Sequence, residues 1–264
     1  MSSKVRVFVP SENITDGKGK IVGGDAFHIS KVMRLCVGDV ITVCDMQRRV
    51  YNGEILFSSD DEVICTLEET EHKDTELPCY ITVYQGVPKG DKLDTVIQKS
   101  VELGASRIVP VLCERSVSRP DKKSAISKNA RYNKISEAAA KQSGRLVVPE
   151  VSLMISFDEM ISEIKNSTLC NSKENISFVC YEGEENFRII DLFSKEFIYN
   201  NYKNNSVGFF RNISFFIGPE GGISEKEIQI IRDSNIQTVT LGKRILRTET
   251  ASLFVLSALS VFLE

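Results

Sequence analysis

The residues with the clearest chemical potential lie in FFIGPEGGISEKEI, residues 215–228, where a strand, a glycine-rich turn and a helix start follow one another. Turns of this kind often bind phosphates. This one lacks the Lys and Ser/Thr of a Walker A loop, and its glycine spacing differs from that of dinucleotide-binding loops. Glu220 would repel a phosphate, and Pro219 removes a backbone N–H that would face the anion. The stretch therefore favours a ligand without phosphates, or it is only a tight turn.

S-adenosylmethionine is one ligand with suitable chemistry. It carries an adenine, a ribose, an amino acid and a sulfonium cation, and it has no phosphate. Adenine requires close approach of the backbone and paired hydrogen-bond donors and acceptors, which a glycine-rich turn can supply. The turn alone does not decide between this ligand and a purely structural role.

From residue 76 onward the chain alternates strands with helices, which predicts a parallel sheet with helices packed against it. Ligands bind at the carboxyl ends of the strands in such sheets. Three strand ends lead into polar or glycine-rich loops, at residues 181–186, 218–222 and 242–252. The second loop ends in a capping box, Ser224 with Glu227, and in the third loop we expect Thr248 to be the N-cap of a helix.

Residues 1–75 show a different pattern, with short β-rich runs separated by Gly and Asp turns. This pattern predicts a small β-barrel or sandwich. One helix is expected within it, at DAFHISKVMRL, with Phe27, Val32 and Leu35 on its apolar side. The polar run 69–78 reads as a linker, so the predicted domains are residues 1–75 and 76–264. The β-rich runs are VRVFV, DVITVCD, YNGEILF and EVICTLEE.

Composition narrows the classes of protein to consider. A hydrophobic content of 42% and a charged content of 26% are ordinary for a globular chain, and no apolar run approaches the ~20 residues that span a bilayer. The N-terminal residues lack the apolar core of a signal peptide. Seven cysteines without a C-x-x-C pair suggest neither a disulfide framework nor a zinc site. We expect a cytoplasmic protein without a metal or a membrane partner.

Charge is unevenly distributed along the chain. Residues 86–148 contain 13 Lys and Arg against 6 Asp and Glu, a net charge of +7, whereas the residues on either side carry −5 each. A basic middle within an acidic chain is typical of a protein that binds a polyanion. Solvated helix faces would produce the same asymmetry, so charge alone leaves both interpretations open.

The motifs FIGPEGGISEKEI and LGKRILRTETAS closely resemble those of the 16S ribosomal RNA uridine-N3 methyltransferases, members of the SPOUT class. The resemblance extends to three upstream stretches and covers most of the chain except residues 150–175 and 186–212. These upstream stretches are HISKVMRLCVGD, QGVPKGDKLDTVIQKSVELGASRIVPVLCERS and KISEAAAKQSGR.

This resemblance implies a fold, an activity and partners. The fold class would be α/β, with a SPOUT-type trefoil-knotted parallel sheet over residues 76–264 preceded by a small PUA-like β-barrel that helps bind RNA. The activity would be transfer of a methyl group from S-adenosylmethionine to N3 of a uridine in 16S rRNA, free or within the small ribosomal subunit. A homodimer is implied, and the apolar C-terminal helix ASLFVLSALSVFL is consistent with that or with burial in a core.

Site residues are carried over by matching position. Tyr181 and Glu182 match by location only. For catalysis, Arg247 would stabilise the uracil anion, while Glu220, Glu249 or solvent would accept the N3 proton. The cofactor contacts implied are Tyr181, Ile217, Gly218, Gly221, Gly222, Leu241, Gly242, Ile245, Leu246, Arg247 and Thr248. The RNA contacts expected are Arg6, Lys31, Arg34, Lys89, Lys92, Lys99, Arg115, Lys141, Gln142 and Arg145.

Two other functions remain open from the sequence. A SPOUT methyltransferase could act on tRNA or on another rRNA position, which only a substrate assay separates. A non-catalytic RNA-binding or assembly protein could keep the same fold, and failure to bind S-adenosylmethionine would favour it.

Overall fold

The structure is a computed structural model that describes residues 5–170, 174–193 and 211–264. The chain divides into two compact units, Met1–Glu76 with Ala140–Val148 and Leu77–Ala139 with Pro149–Glu264.

The first unit is built on a seven-stranded sheet with the order β1-β4-β5-β6-β3-β2, in which β7 also pairs with β5. Only the β1–β4 pair is parallel, and the other pairs are antiparallel. All four predicted β-rich runs are strands, but the β2–β3 hairpin was missed because its residues, ITDGKGKIV, contain few apolar side chains. The strands are β1 (Arg6–Phe8), β2 (Ile14–Thr15), β3 (Lys18–Val22), β4 (Val40–Cys44), β5 (Val50–Ser58), β6 (Glu62–Thr66) and β7 (Glu68–Glu69).

The predicted helix in this unit is shorter than expected and buries different residues. It consists of α1 (Gly24–Phe27) and a π-helical turn over His28–Val32. Ala26 and Ile29 are fully buried, whereas Phe27 and Val32 are exposed. The expected apolar side was therefore wrong in this detail, because the wider π turn changes the phase of the side chains.

Residues 140–148 are held in the first unit by polar contacts that the sequence did not suggest. Arg145 forms a buried ion pair with Glu76, whose carboxylate also accepts the Leu146 N–H at 2.8 Å. The Lys141 ammonium pairs with Asp25 at 2.6 Å. Buried charges require such partners, so these contacts attach the segment to the unit.

The second unit contains a seven-stranded sheet in which every pair is parallel, as predicted. Its order is β10-β9-β8-β13-β12-β14, and β11 also pairs with β9. The strands are β8 (Tyr80–Gly86), β9 (Arg107–Leu112), β10 (Glu150–Val151), β11 (Ile155–Ser156), β12 (Asn175–Cys180), β13 (Asn212–Ile217) and β14 (Gln237–Val239).

Helices of the second unit follow the predicted alternation with strands. A short 3-10 turn lies at Ile189–Phe193, and residues 194–210 lie outside the described residues. No helix in the described ranges combines the length and the apolar character needed to cross a bilayer. The helices are α2 (Lys92–Glu102), α3 (Lys122–Ser143, whose last residues belong to the first unit), α4 (Phe157–Cys170), α5 (Glu225–Asp233) and α6 (Thr248–Leu263).

The core of the second unit lies along its central strands. Six of the seven residues of β8 are buried, as is typical of a parallel sheet covered on both faces. Phe178 and Phe215 stack with ring centroids 5.7 Å apart, and Phe157 meets Phe216 edge-on at 5.9 Å. This packing fixes the strands whose carboxyl ends carry the candidate loops.

Replacement of Arg145 by Met should destabilise the first unit by about 3–5 kcal/mol, because the Glu76 carboxylate would remain buried without its cation. Chemical denaturation measures the free energy of unfolding. Lys31→Met is the matched control, since the Lys31 ammonium makes an exposed ion pair with Asp60 at 3.2 Å, and should cost less than about 1 kcal/mol. Equal losses for the two variants would show that the buried pair does not hold the unit.

Candidate functional site

The turn after β13 is held in shape at both ends. The Gly222 N–H donates to the Pro219 carbonyl at 2.9 Å, and Gly222 adopts a φ of +71°, which glycine tolerates without strain. At the start of α5, the Ser224 hydroxyl accepts from the Glu227 N–H while the Glu227 carboxylate accepts from the Ser224 N–H. The predicted capping box is confirmed, and it fixes where the turn ends.

The loop after β9 holds the same turn from a second direction. The Arg115 guanidinium donates to the carbonyls of Gly221 at 3.1 Å and Ile223 at 3.3 Å. The Glu227 carboxylate also accepts the Glu114 N–H at 2.7 Å. These contacts set the course of the backbone through the turn, so Arg115 acts as a positioning residue in this structure.

A buried side-chain network joins the end of β8, the turn after β13 and the start of α6. The Thr248 hydroxyl donates to the Gly218 carbonyl at 2.6 Å. The Gln85 amide donates to Thr248 Oγ1 at 2.8 Å, and the Ser252 hydroxyl donates to Gln85 Oε1. Gln85 and Ser252 are both fully buried. Because buried polar groups are costly when unpaired, the network fixes the relative positions of the three segments.

The predicted N-cap at Thr248 is wrong. The N-cap residue of α6 is Arg247, whose side chain makes no capping hydrogen bond, and Thr248 is the first helical residue. The Thr248 hydroxyl instead donates to the Gly218 carbonyl. The two residues are far apart in the sequence, so no local pattern predicts this contact.

Gly86 shows how closely these segments approach each other. A Cβ atom at Gly86 would lie 2.5 Å from the Pro219 nitrogen, closer than any real contact. Only glycine fits at the end of β8, so this residue is required by the approach of the turn after β13.

The three predicted loops surround one cavity of about 820 Å³. This volume lies within the range of about 300–1,000 Å³ that is common for small-molecule sites. The loop after β12, the turn after β13 and the segment between β14 and α6 all contribute to its lining. Apolar lining residues include Ile217, Ile223, Leu241, Ile245 and Leu246.

The loop after β12 gives the cavity an acidic side through Glu182, Glu184 and Glu185. The Glu184 carboxylate accepts the Thr238 hydroxyl at 2.6 Å, and this bond together with backbone donors holds the pKa of Glu184 below its ordinary value. Glu184 therefore stays ionised at neutral pH. Such a side suits a ligand that carries a positive centre.

Glu220 is engaged by a lysine and by the backbone. Its carboxylate accepts from Lys92 Nζ at 2.8 Å and from the Lys89 N–H at 3.2 Å. Partial burial opposes ionisation, but the Lys92 hydrogen bond and the backbone donors outweigh it and lower the pKa of Glu220 from 4.5. A carboxylate with a lowered pKa is a weak base, so the geometry gives Glu220 a positioning role toward Lys92.

Glu249 lies in the first turn of α6, where a negative charge complements the helix dipole. Its carboxylate is 3.6 Å from Lys92 Nζ, so Lys92 lies between two acids. Arg247, at the same helix start, has an exposed guanidinium that makes no hydrogen bond or ion pair within the described part of the chain. Arg247 is thus available to a ligand in the cavity.

Comparisons with known proteins decide the family. Residues 75–260 match the family model of an RNA methyltransferase domain. Ribosomal RNA small subunit methyltransferase E of Bacillus subtilis is 36% identical over 240 residues, which is 91% of this chain and 88% of the relative. The chain belongs to the ribosomal RNA small subunit methyltransferase E family. The family member of Synechocystis sp. is 27% identical over 259 residues, covering 98% of this chain and 78% of the relative.

A solved member of the methyltransferase E family has the same fold. The crystal structure of the Neisseria gonorrhoeae enzyme, bound to S-adenosylmethionine, superposes with a TM-score of 0.77 at 29% identity and covers 98% of this chain and 97% of its own. The predicted family and the α/β class with a parallel sheet are confirmed.

The cofactor residues predicted from the family motifs lie together, with one exception. Gly221 is outside the cavity lining, and a Cβ atom there would lie 3.0 Å from the Arg115 Cβ. A substitution at Gly221 would displace Arg115 and would not enter the cavity. The lining includes Tyr181, Ile217, Gly218, Gly222, Leu241, Gly242, Ile245, Leu246, Arg247 and Thr248.

The RNA residues predicted in the second unit are mostly engaged by the protein itself. Lys92 pairs with Glu220, and Lys99 pairs with Glu102 at 2.9 Å. Arg115 binds backbone carbonyls, as described above. Lys89 is exposed and contributes its backbone N–H to the site. Of these four residues, Lys89 alone presents a side chain to solvent without a hydrogen bond or ion pair to the described part of the chain.

The RNA residues predicted in the first unit divide into engaged and exposed groups. The Arg6 guanidinium donates to the Arg145 carbonyl at 3.1 Å, and Arg145 itself is buried against Glu76. Arg145 was wrongly expected to contact RNA, because a side chain that is 4% exposed and paired with Glu76 cannot reach a phosphate. Lys141 pairs with Asp25, as noted above. The exposed residues are Lys31, Arg34 and Gln142.

Several residues of the site were missed by sequence reasoning. Gln85 ends an apolar strand, and nothing in YITVYQG indicates that its amide binds Thr248. Lys243 and Arg244 also line the cavity, but neither was predicted to be a site residue, because they lie in a motif assigned to the cofactor. Among the described residues, no group of three or more His, Cys, Asp or Glu is arranged to hold a metal.

Thr248→Val should lower the free energy of unfolding by about 1–3 kcal/mol, because valine keeps the shape but leaves the Gln85 amide and the Gly218 carbonyl without Thr248 as partner. Urea denaturation measures the change. Thr95→Val, at an exposed position of α2, is the matched control and should change stability by less than about 0.5 kcal/mol. Similar losses of stability in both variants would show that the hydrogen-bond network of Thr248 does not hold the site together.

Proposed function

We propose that the protein is an S-adenosylmethionine-dependent methyltransferase that methylates N3 of a uridine in 16S ribosomal RNA. The observation that carries the proposal is the cavity of about 820 Å³ bounded by the three motif loops at the carboxyl ends of a parallel sheet. Family membership supports rRNA as the substrate, and the solved relative with bound cofactor supports S-adenosylmethionine.

The residues present fit S-adenosylmethionine. Gly242 has a φ of +110° and nothing within 4 Å of its Cβ position, so the backbone is open to close approach by a ligand. Leu241, Leu246 and Ile217 offer apolar surface to the adenine, while the acidic side suits the positive charges. When bound, this molecule supplies a methyl group on a positively charged sulfur.

The chain's own contribution to the reaction is positioning and charge stabilisation. Uridine N3 must lose its proton before its lone pair can attack, which spreads negative charge over O2, N3 and O4. Arg247 lines the cavity with an exposed guanidinium and would stabilise this anion. Because Glu220 is a weak base held by Lys92, the proton would pass to solvent or to Glu249.

The finer features of the fold belong to the same proposal. The PUA-like barrel is supported by the largely antiparallel sheet of the first unit. The trefoil knot is supported by the path of the chain after β14. Thr240 pairs with the segment at Phe187 and Arg188, and Thr248 then returns to Gly218 at the end of β13.

A homodimer that acts on 16S rRNA or the small ribosomal subunit in the cytoplasm completes the proposal. Exposed apolar side chains on α6, namely Phe254, Val261 and Phe262, support a second copy as the partner of this helix.

Incubation of the purified protein with methyl-labelled S-adenosylmethionine and unmethylated small-subunit rRNA tests the proposal. Nucleoside analysis should identify N3-methyluridine as the product. A different methylated nucleoside would contradict the uridine-N3 assignment, and absence of labelled RNA with intact cofactor binding would favour a non-catalytic RNA-binding protein.

Gly242→Ala should weaken binding of S-adenosylmethionine by roughly tenfold or more, because an alanine held at φ +110° is strained by about 1–2 kcal/mol and forces the loop to move. Isothermal titration calorimetry measures the affinity. Gly38→Ala is the matched control, with φ +92° and equally open space, and should lose stability without losing affinity. Unchanged affinity in Gly242→Ala would remove this loop from the cofactor site.

Arg247→Gln should reduce kcat about 100-fold or more, because one donor to the developing anion is lost. The kcat is measured at saturating S-adenosylmethionine, because Arg247 also lines the cavity proposed for the cofactor. Arg232→Gln, an exposed arginine of α5 outside the cavity, is the matched control and should retain full kcat. A wild-type kcat in Arg247→Gln would show that a group other than Arg247 stabilises the uracil anion.

A further inference from the structure

The segment between β14 and α6 presents two cations that nothing in the described residues neutralises. Lys243 and Arg244 are exposed, line the cavity and form no hydrogen bond or ion pair within the described ranges. Arg247, three residues later, is also exposed, also lines the cavity and also forms no side-chain hydrogen bond or ion pair within the described ranges. Three positive side chains within five residues repel one another, so the segment favours an anionic ligand.

Two other cations that line the same cavity do have acidic partners. Lys92 is paired with Glu220, and Arg188 is paired with Asp191 at 2.9 Å. The acids on the loop after β12 are not paired with Lys243 or Arg244, although all of them line one cavity. The lining of the cavity therefore contains acids on one loop and unpaired cations on another.

Ile245 adds an apolar group between these cations. Its side chain is 84% exposed, although it lines the cavity and follows Arg244 directly. An isoleucine presented to solvent among cations matches a ligand with both an apolar face and negative charge. A nucleotide has both, because its base presents a flat face that can stack on an apolar group and its phosphate is anionic.

We propose that the segment 242–247 is an RNA-binding site, in which Lys243 and Arg244 contact the phosphates next to the target nucleotide and the Ile245 side chain packs against a base. The inference rests on the proposed function. A base that reacts inside a cavity must leave its stack, so the neighbouring phosphates come to the cavity mouth. This site is additional to the RNA residues expected from the family motifs.

The double variant Lys243→Ala/Arg244→Ala tests the two phosphate contacts. Binding to unmethylated small-subunit rRNA is measured by filter binding across a salt series. The slope of log K against log[salt] should become shallower by about 0.7–0.9 for each phosphate that the variant no longer binds. Affinity for S-adenosylmethionine should not change, which shows that the loop is intact.

Lys226→Ala/Arg232→Ala is the matched control, because it removes two exposed cations of α5 that do not line the cavity. Its salt slope should equal that of the wild type. An equal slope in both double variants would overturn the proposal, as would an unchanged slope in Lys243→Ala/Arg244→Ala.

Ile245→Ser tests the base contact separately. The KM for rRNA should rise at an unchanged salt slope, whereas Ile126→Ser, also exposed but outside the cavity lining, should behave as the wild type. Analytical ultracentrifugation tests whether a second copy of the chain covers Ile245 in place of a base. If Ile245→Ser dissociates an oligomer, a second copy covers this residue and the base contact is wrong. If the wild type binds rRNA but does not methylate it, the proposed function is wrong. The salt-slope test of this RNA-binding site remains valid in that case, because it measures binding alone.

Discussion

The buried amide of Gln85 connects the parts on which the site depends. Its nitrogen donates to Thr248 Oγ1 and to the Gly86 carbonyl, while its oxygen accepts from Ser252. Thr248 in turn donates to Gly218, so one strand end holds both the glycine turn and the start of the last helix. A buried amide left unpaired costs about 1–3 kcal/mol, and each partner is therefore constrained by the others. The cavity keeps its shape because these segments cannot move independently.

Around that fixed junction the charges are separated by loop. Glu184 stays ionised on the loop after β12, and Lys92 is held by Glu220 and Glu249. Arg244 and Arg247 remain exposed on the segment after β14. A cationic cofactor and an anionic RNA have opposite requirements, and under the proposal above this separation would let a single cavity serve both.

Local patterns were sufficient for most of the elements and for part of the site. The parallel sheet, the capping box of Ser224 and Glu227 and the meeting of three strand ends follow from alternation, capping residues and the geometry of parallel strands. The contacts of Gln85 with Thr248 and of Arg145 with Glu76 were not predictable, because their partners are 163 and 69 residues away. Phe27 was misassigned because the π-helical turn has no simple sequence signal.

The place of residues 140–148 in the first unit also affects how the chain can be divided. Residues 140–148 belong to the first unit, so a cut at residue 75 would remove most of the residues that hold them. Lys141 and Arg145 of this segment, which were expected to contact RNA, form ion pairs with Asp25 and Glu76 of the first unit instead. Charge counts along a sequence do not distinguish a buried ion pair from a binding surface, and burial decides between the two.

The most direct measurement is mass mapping of methylated nucleotides in small-subunit rRNA from cells that lack this protein. One uridine should lose its N3-methyl group, and the group should return when the wild-type gene is restored but not when Arg247→Gln is supplied. A complete set of rRNA methyl groups in the deleted cells would contradict the assignment of this protein to rRNA methylation, whereas full restoration by Arg247→Gln would contradict only the role given to Arg247.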